Sequence, residues 1–196
     1  MARTRSAAPS FLGGMPAEMR LELDRLGARR RFPPGAALFV EGDQAHEVLV
    51  LRTGAVKVSV DSLDGREVVL DVFEPETLIG ELSVIDGGPR SATVSALSAV
   101  EVLSIPAGTF NAFLDRHPAA LRLLLVEVVA RLRTRVRHQL EFGAGDALGR
   151  VCARLAELAE RYGQHDENGI SIRSPVTQSD LASWTGLSRE AVVKAL

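Results

Sequence analysis

An arginine, a glutamate and a serine pose the first chemical question. The stretch Leu78-Ile79-Gly80-Glu81-Leu82-Ser83 is followed by Gly87-Gly88-Pro89-Arg90-Ser91-Ala92-Thr93-Val94. The planar guanidinium of Arg90 suits an anion with two adjacent oxygens, because it donates two parallel hydrogen bonds. The Ser91 hydroxyl can donate to a further oxygen of the same anion. Successive N–H groups at a short helix start or nest would add donors. Glu81 can accept from a sugar hydroxyl, and Gly80 beside it lets backbone approach a ligand closely. Together these residues match a ribose joined to a phosphodiester, which is what a cyclic nucleotide presents. The alternative is a surface loop in which Glu81 and Arg90 form a solvated ion pair.

A second constellation lies at the end of the sequence, from Thr177-Gln178-Ser179-Asp180-Leu181-Ala182 to Gly186-Leu187-Ser188-Arg189-Glu190 and Lys194. Thr177 can cap a helix, with Asp180 at the third position completing the cap. Gly186 suits a turn that needs positive φ. Ser188 can cap a second helix anchored by Val192. Arg189, Glu190 and Lys194 then project outward. Arginine reads guanine bidentately, glutamate accepts from cytosine N4, and lysine reaches guanine or phosphate. The alternative is a helical hairpin used for packing alone.

The elements that must position these residues are legible in the periodicity. Met19, Leu23 and Leu26 predict a short helix from Pro16 to Leu26. From Arg31 to Ile105 the pattern is that of many short strands. Val56, Val58 and Val60 alternate with Lys57, Ser59 and Asp61, and the run Val48 to Leu51 predicts a strand covered on both faces. Asp64-Gly65 marks a hairpin. Thr109 to Arg116 reads as a helix, and Pro118 opens a long one reaching about Phe142. Leu121, Leu125, Val128 and Leu132 follow a coiled-coil spacing, with Leu124, Val129 and Val136 as a second apolar set. That predicts one face on the chain's own core and another on a partner helix. Arg131, Arg133, Arg135 and Arg137 are expected to complement the helix dipole. Gly143 to Gly145 reads as a hinge and Ala147 to Tyr162 as a helix, with Val151, Leu155 and Leu158 inward and Cys152 as a small core residue. Gln164 to Gly169 is expected to be a polar loop, Ile170 and Ile172 a short strand, and Trp184 core.

Composition sets the bounds. The chain has 196 residues, 46% of them hydrophobic, enough to bury a core. Its net charge is -2, so any nucleic-acid contact must be local. From Phe142 onward, Arg150, Arg154, Arg161, Arg173, Arg189 and Lys194 face Asp146, Glu157, Glu160, Asp166, Glu167, Asp180 and Glu190, so this part is not basic either. A single cysteine excludes an intrachain disulfide framework and an iron-sulfur centre, and fits a reducing, cytoplasmic setting. Neither a signal peptide nor a membrane-spanning run is evident. No Ser-His-Asp set, metal spacing or phosphate-binding Gly-Lys loop marks an enzyme. A haem bound by His46, His117 or His138 is the remaining cofactor alternative, and no metal is expected.

Gly80-Glu81-Leu82-Ser83 through Pro89-Arg90-Ser91-Ala92-Thr93-Val94 closely resembles the phosphate-binding cassette of cyclic-nucleotide-binding domains. Thr-Gln-x-Asp-Leu-Ala followed by Gly-x-Ser-Arg-Glu resembles the helix-turn-helix of the cyclic-AMP receptor and fumarate-nitrate regulator (Crp-Fnr) family. The resemblance implies an α+β fold with a double-stranded β-helix (jelly-roll) domain over 11–117, a dimerisation helix over 118–142 and a winged helix-turn-helix over 146–196. In the family the second helix and a two-stranded wing continue past the point matched by Leu196, so the helix-turn-helix is expected to be incomplete in these residues and to bind operator DNA weakly. The resemblance assigns the cyclic phosphate to Arg90, the ribose hydroxyl to Glu81, and the pocket lining to Gly80, Leu82, Ser83, Ser91 and Ala92. It assigns DNA contact to Thr177, Gln178, Ser188, Arg189, Glu190 and Lys194. It implies cyclic AMP as effector, double-stranded DNA and RNA polymerase as partners, and a homodimer. The family's base-contacting pair on the long helix has no clean match in Thr134-Arg135-Val136. Thr134 with a shifted register, or Arg135 stacked on a base, would take that role, and a regulator with another effector or none is the alternative.

Overall fold

The structure, a computed structural model, describes residues 10–144, 147–167 and 169–196, with the side chains of 137–144, 165 and 166 outside that description. The chain forms two compact units. One runs up to Val56 and resumes over Phe73–Arg135; the other joins Lys57–Val72 to Val136–Leu196.

In the first unit, α1 (Ala17–Arg25) buries Leu23 and packs Met19 and Leu26 on the same core, as their spacing predicts. Strands β1 (Ala28–Phe32), β2 (Ala37–Phe39) and β3 (Glu47–Thr53) follow, then β4 (Val56–Asp61) and β5 (Glu67–Phe73), which lead into the second unit and back. β6 (Leu78–Ile79), α2 (Glu81–Asp86), β7 (Thr93–Ala96), β8 (Val100–Pro106), α3 (Ala107–Arg116) and α4 (Pro118–Ala144) complete the series. One antiparallel sheet has the order β1-β8-β3-β6, and the other the order β2-β7-β4-β5. Val48 to Leu51 is buried on both faces, with Val50 opposite Leu103, as a continuous apolar run requires. α3 begins two residues earlier than expected, directly after Pro106.

α4 has two faces. Ala120 and Leu124 sit in the core with Phe11, Leu12, Phe110 and Phe113. Leu121, Leu125 and Leu132 are 46%, 61% and 60% exposed, so the seam is unpartnered within one chain. Val128 departs from it and packs against the chain's own core. α4 continues through Gly143 and Ala144, so these two residues do not form the expected hinge, and Gly145 lies outside the described residues.

In the second unit, β4 and β5 form a hairpin whose turn closes from Ser62 to Arg66, with Gly65 at φ 74°. α5 (Ala147–Tyr162) buries Val151, Arg154 and Leu158. Cys152 is exposed, which corrects its expected core placement. One residue is about 100° around a helix, so the neighbour of buried Val151 turns to solvent. Gln164 to Gly169 is no polar loop: β9 (Gly163–Asp166) pairs antiparallel with β10 (Gly169–Ile172). The ladder bonds are backbone bonds, so a polar run on an exposed ribbon satisfies them without apolar alternation. α6 (Gln178–Thr185) and α7 (Arg189–Ala195) pack through Val151, Leu181, Ala182 and Val192, with Leu155 and Leu187 alongside. Trp184 is buried, as expected.

Candidate effector and nucleic-acid sites

The cassette is built on the turn between β6 and α2. Gly80 has φ 83°, a left-handed conformation that a side chain strains to adopt. A Cβ there would lie 2.6 Å from Nη1 of Arg90 and 2.7 Å from the Phe39 ring, so only glycine lets these groups close in. Glu81 then opens α2 and is 4% exposed; Arg90 is equally buried. The solvated ion pair is thereby excluded.

Each buried charge has internal partners. Arg90 donates from Nη1 to the Gly80 carbonyl at 2.9 Å and from Nη2 to the Glu47 carbonyl at 2.6 Å. Its guanidinium carbon lies 3.5 Å from the centre of the Phe39 ring. It also borders a recess of about 290 Å³ with Phe39, Asp43, His46 and Glu47. Burial pulls its pKa down, against the nearby carboxylates of Glu47, Glu81 and Asp43. Glu81 accepts from Nη1 of Arg131 at 2.8 Å. Arg131 also donates to the Leu78 carbonyl at 3.0 Å and to Glu127, and lies 4.7 Å over the Phe73 ring. Glu127 in turn accepts from the Phe11 N–H. Burial raises the Glu81 pKa above the usual carboxylate range, against the opposing charges of Arg131 and Arg135.

The remaining cassette residues divide. Ser83 is buried and donates to the Pro89 carbonyl at 2.9 Å, holding the loop rather than facing outward. Leu82 and Ser91 are exposed and Ala92 is half-buried. Thr134 and Arg135 lie exposed on α4, with Arg135 near enough to act electrostatically on Glu81.

Sequence reasoning missed Arg131, Phe39 and Glu127. Arg131 was expected to serve the helix dipole, yet it stands well inside α4 and reaches the cassette instead. Its i,i+4 relation to Glu127 is a pairing signal in the sequence. Phe39 carries no such signal, because only folding brings it beneath Arg90.

The helix pair at the end of the chain behaves as its caps predict. The Thr177 hydroxyl accepts from the Asp180 N–H at 3.2 Å and Asp180 accepts from the Thr177 N–H at 3.0 Å, a reciprocal capping box. Gly186 ends α6 at φ 64°. The Ser188 side chain accepts from the Ala191 N–H at 3.2 Å and opens α7. Thr177, Gln178, Ser188, Arg189, Glu190 and Lys194 are all exposed on this scaffold, while Val192 is fully buried. Of the histidines considered for haem, His117 binds Glu22 at 2.9 Å, His46 borders the recess beside Arg90, and the side chain of His138 lies outside the described residues. No helix among the described residues is long and apolar enough to cross a membrane.

Comparison with known proteins identifies both regions of the chain at the level of domain family. Residues 29–117 match the cyclic nucleotide-binding domain family, and residues 149–196 the Crp-like helix-turn-helix domain. A CRP-like cAMP-activated global transcriptional regulator of Mycobacterium tuberculosis is 31% identical over 165 residues, 84% of this chain and 74% of that protein. The cyclic AMP receptor protein of Thermus thermophilus is 29% identical over 96% of this chain and 84% of its own length. Among solved structures, the c-di-GMP responsive regulator CLP of Xanthomonas campestris superposes with a TM-score of 0.80 at 24% identity, over 92% of this chain and 90% of that one. The Thermus thermophilus catabolite activator protein gives 0.62 at 26% identity, over 94% and 84%.

Proposed function

We propose, from the premise that this chain belongs to the Crp-Fnr family of DNA-binding transcription regulators, that cyclic AMP is its effector and that Arg90 and Glu81 hold it. Its relatives are regulators rather than enzymes. The observation that carries the reading is the pair of buried, oppositely charged side chains, Arg90 and Glu81, gathered at the Gly80 turn. In an apolar setting a charged group is retained only with a partner, and a cyclic phosphate and a ribose hydroxyl supply one to each. The phosphate replaces the carbonyls of Gly80 and Glu47 on Arg90, and the hydroxyl shares Glu81 with Arg131. Exposed Ser91 donates to the phosphate, and Leu82 and Ala92 flank the sugar.

A guanine-bearing effector is the second reading, favoured by Arg135. Adenine offers its N6 donor, which an arginine cannot accept from; guanine offers O6 and N7, which match the guanidinium fork. Arg135 acts on Glu81, so it stands beside the ribose subsite. Thr134 on the same turn would support either base.

The protein acts as a homodimer in the cytoplasm, through the exposed stripe Leu121, Leu125 and Leu132 of α4. That places two reading heads on half-sites about 34 Å apart. Arg189 and Glu190 contact base edges, Lys194 a base or phosphate, and Thr177, Gln178 and Ser188 phosphates. RNA polymerase is a partner by family analogy. The test is calorimetric titration of the chain with cyclic AMP and cyclic GMP, beside Arg90→Ala. Saturation near one ligand per subunit, lost in the variant, supports the reading, and the tighter nucleotide names the base. No heat with either contradicts it.

A further inference from the structure

Arg131 stands between two buried carboxylates. The side chains of Glu81 and Glu127 are 5% and 11% exposed, and that of Arg131 is 21% exposed. One guanidinium against two carboxylates leaves an excess of negative charge where water is scarce. Such an arrangement persists only where hydrogen bonds satisfy it, and it is weak support for a fold. A Glu–Arg pair four residues apart on a helix forms equally well at the surface. Stability therefore does not account for a buried Glu127.

The bonds are divided atom by atom. Oε2 of Glu127 accepts from the N–H of Phe11, a residue with no exposed surface whose ring meets that of Phe110 edge-on at 6.2 Å. Oε1 of Glu127 accepts from Nη2 of Arg131. Nη2 also donates to the Leu78 carbonyl at 3.0 Å, so both of its hydrogens are committed. Nη1 is left to Glu81 and reaches Oε1 at 2.8 Å. An arginine facing one carboxylate pairs with it bidentately, through two parallel N–H donors on two oxygens. Here the fork is split, and Oε2 of Glu81 stays outside the bond with Arg131.

We infer that Glu127 is a positioning residue for effector binding: fixed by the Phe11 N–H, it draws Nη2 of Arg131 away from Glu81 and so keeps one Glu81 oxygen as acceptor for the ribose hydroxyl. The inference rests on the reading that Glu81 holds that hydroxyl. Glu127 does not touch the nucleotide; it acts through Arg131. Without its charge the fork closes on both oxygens of Glu81, and the hydroxyl meets a carboxylate already paired. The phosphate, held by Arg90, is unaffected.

The test compares the 196-residue chain with Glu127→Gln, which keeps the size of the side chain and one oxygen, enough for Phe11 or Arg131 but not for both. Calorimetry measures cyclic AMP or cyclic GMP, whichever the parent binds tighter, beside the 2′-deoxy form of the same nucleotide. The parent prefers the form with the hydroxyl by about 10- to 150-fold, the worth of a hydrogen bond to a charged group. In Glu127→Gln that preference disappears, because the ribose form weakens while the 2′-deoxy form binds as it does to the parent. Glu127→Met, which fills the same space without an acceptor, carries the test if Glu127→Gln does not fold, with the same expected result. A merely structural Glu127 predicts a different outcome, in which both forms weaken together and the preference stays. That outcome in a folded variant overturns the inference, as does loss of both forms or binding of both as in the parent. If the parent itself binds the two forms alike, or binds neither, the assignment of the hydroxyl to Glu81 falls first, and the role of Glu127 with it.

Discussion

The cassette and the helix-turn-helix hold their functional groups in opposite ways. In the cassette the charges are buried and already engaged: Glu81 by Arg131, Arg90 by two carbonyls and an aromatic ring. In the helix-turn-helix the side chains proposed to read DNA stand exposed on a scaffold fixed by two caps and a small apolar cluster. A ligand entering the cassette must therefore exchange one set of partners for another. DNA meets side chains that need no such exchange. A site whose occupants change on binding is suited to switching, because the displaced groups carry the signal; a site built on caps is suited to recognition.

The sharpest way to break this contrast is to remove Arg131. Glu81 would then remain buried without its cation, and breaking a partly buried pair costs roughly 3 kcal/mol. Chemical denaturation of Arg131→Ala should show that loss; an unchanged midpoint would mean Glu81 is not held as described. Arg90→Ala is expected to cost about 2–3 kcal/mol in nucleotide affinity, the worth of a charge-assisted pair, and to lower the denaturation midpoint as well, because the Gly80 and Glu47 carbonyls lose their donor. Calorimetry separates the two readouts. On the other side of the comparison, Arg189→Ala should weaken binding to a selected operator by about 1–3 kcal/mol and relax its sequence preference, without lowering Tm. Ser188→Ala should cost about 1 kcal/mol of stability through the lost cap, read by thermal melting.

The smallest effect sharpens the account through pH. Burial raises the Glu81 pKa, so its folding penalty is absent below the ordinary carboxyl pKa and grows as pH rises through the raised folded value. Glu81→Gln should therefore melt no lower than the parent at neutral pH, with any advantage vanishing in acid, while losing nucleotide affinity. A variant that melts lower at neutral pH alone would mean that the Arg131 pairing outweighs the burial.

The two regions were unequally legible in the sequence. The helix-turn-helix depends on local rules: Thr177 and Asp180 sit three residues apart, Gly186 takes positive φ, and Ser188 caps α7. All of these are written within a few residues of where they act. The strands of the first unit were legible through period and punctuation, and the positions of Gly80, Glu81 and Arg90 through residue type. What those side chains touch was not. Arg131 reaches Glu81 across 50 residues of chain and Phe39 meets Arg90 across 51, and such long-range pairings leave no periodic trace. Cys152 was misplaced because its residue type was weighed over its place one residue on from buried Val151, while Arg154 takes an inward place on α5, with its guanidinium carbon 5.5 Å from the Trp184 ring centre and 3.0 Å separating Nη1 from Glu157. A charged residue buried by its partners defeats an apolar count. β9 was read as a loop because its strand is held by backbone bonds rather than side-chain pattern.

The most direct test of the central claim is a DNA titration of this chain with and without saturating cyclic nucleotide, run beside Arg90→Ala. The account predicts that the nucleotide shifts DNA affinity by about 5- to 150-fold in the parent chain and not in the variant, since ligand and DNA must bias the same equilibrium. An affinity indifferent to the nucleotide in the parent chain would contradict it.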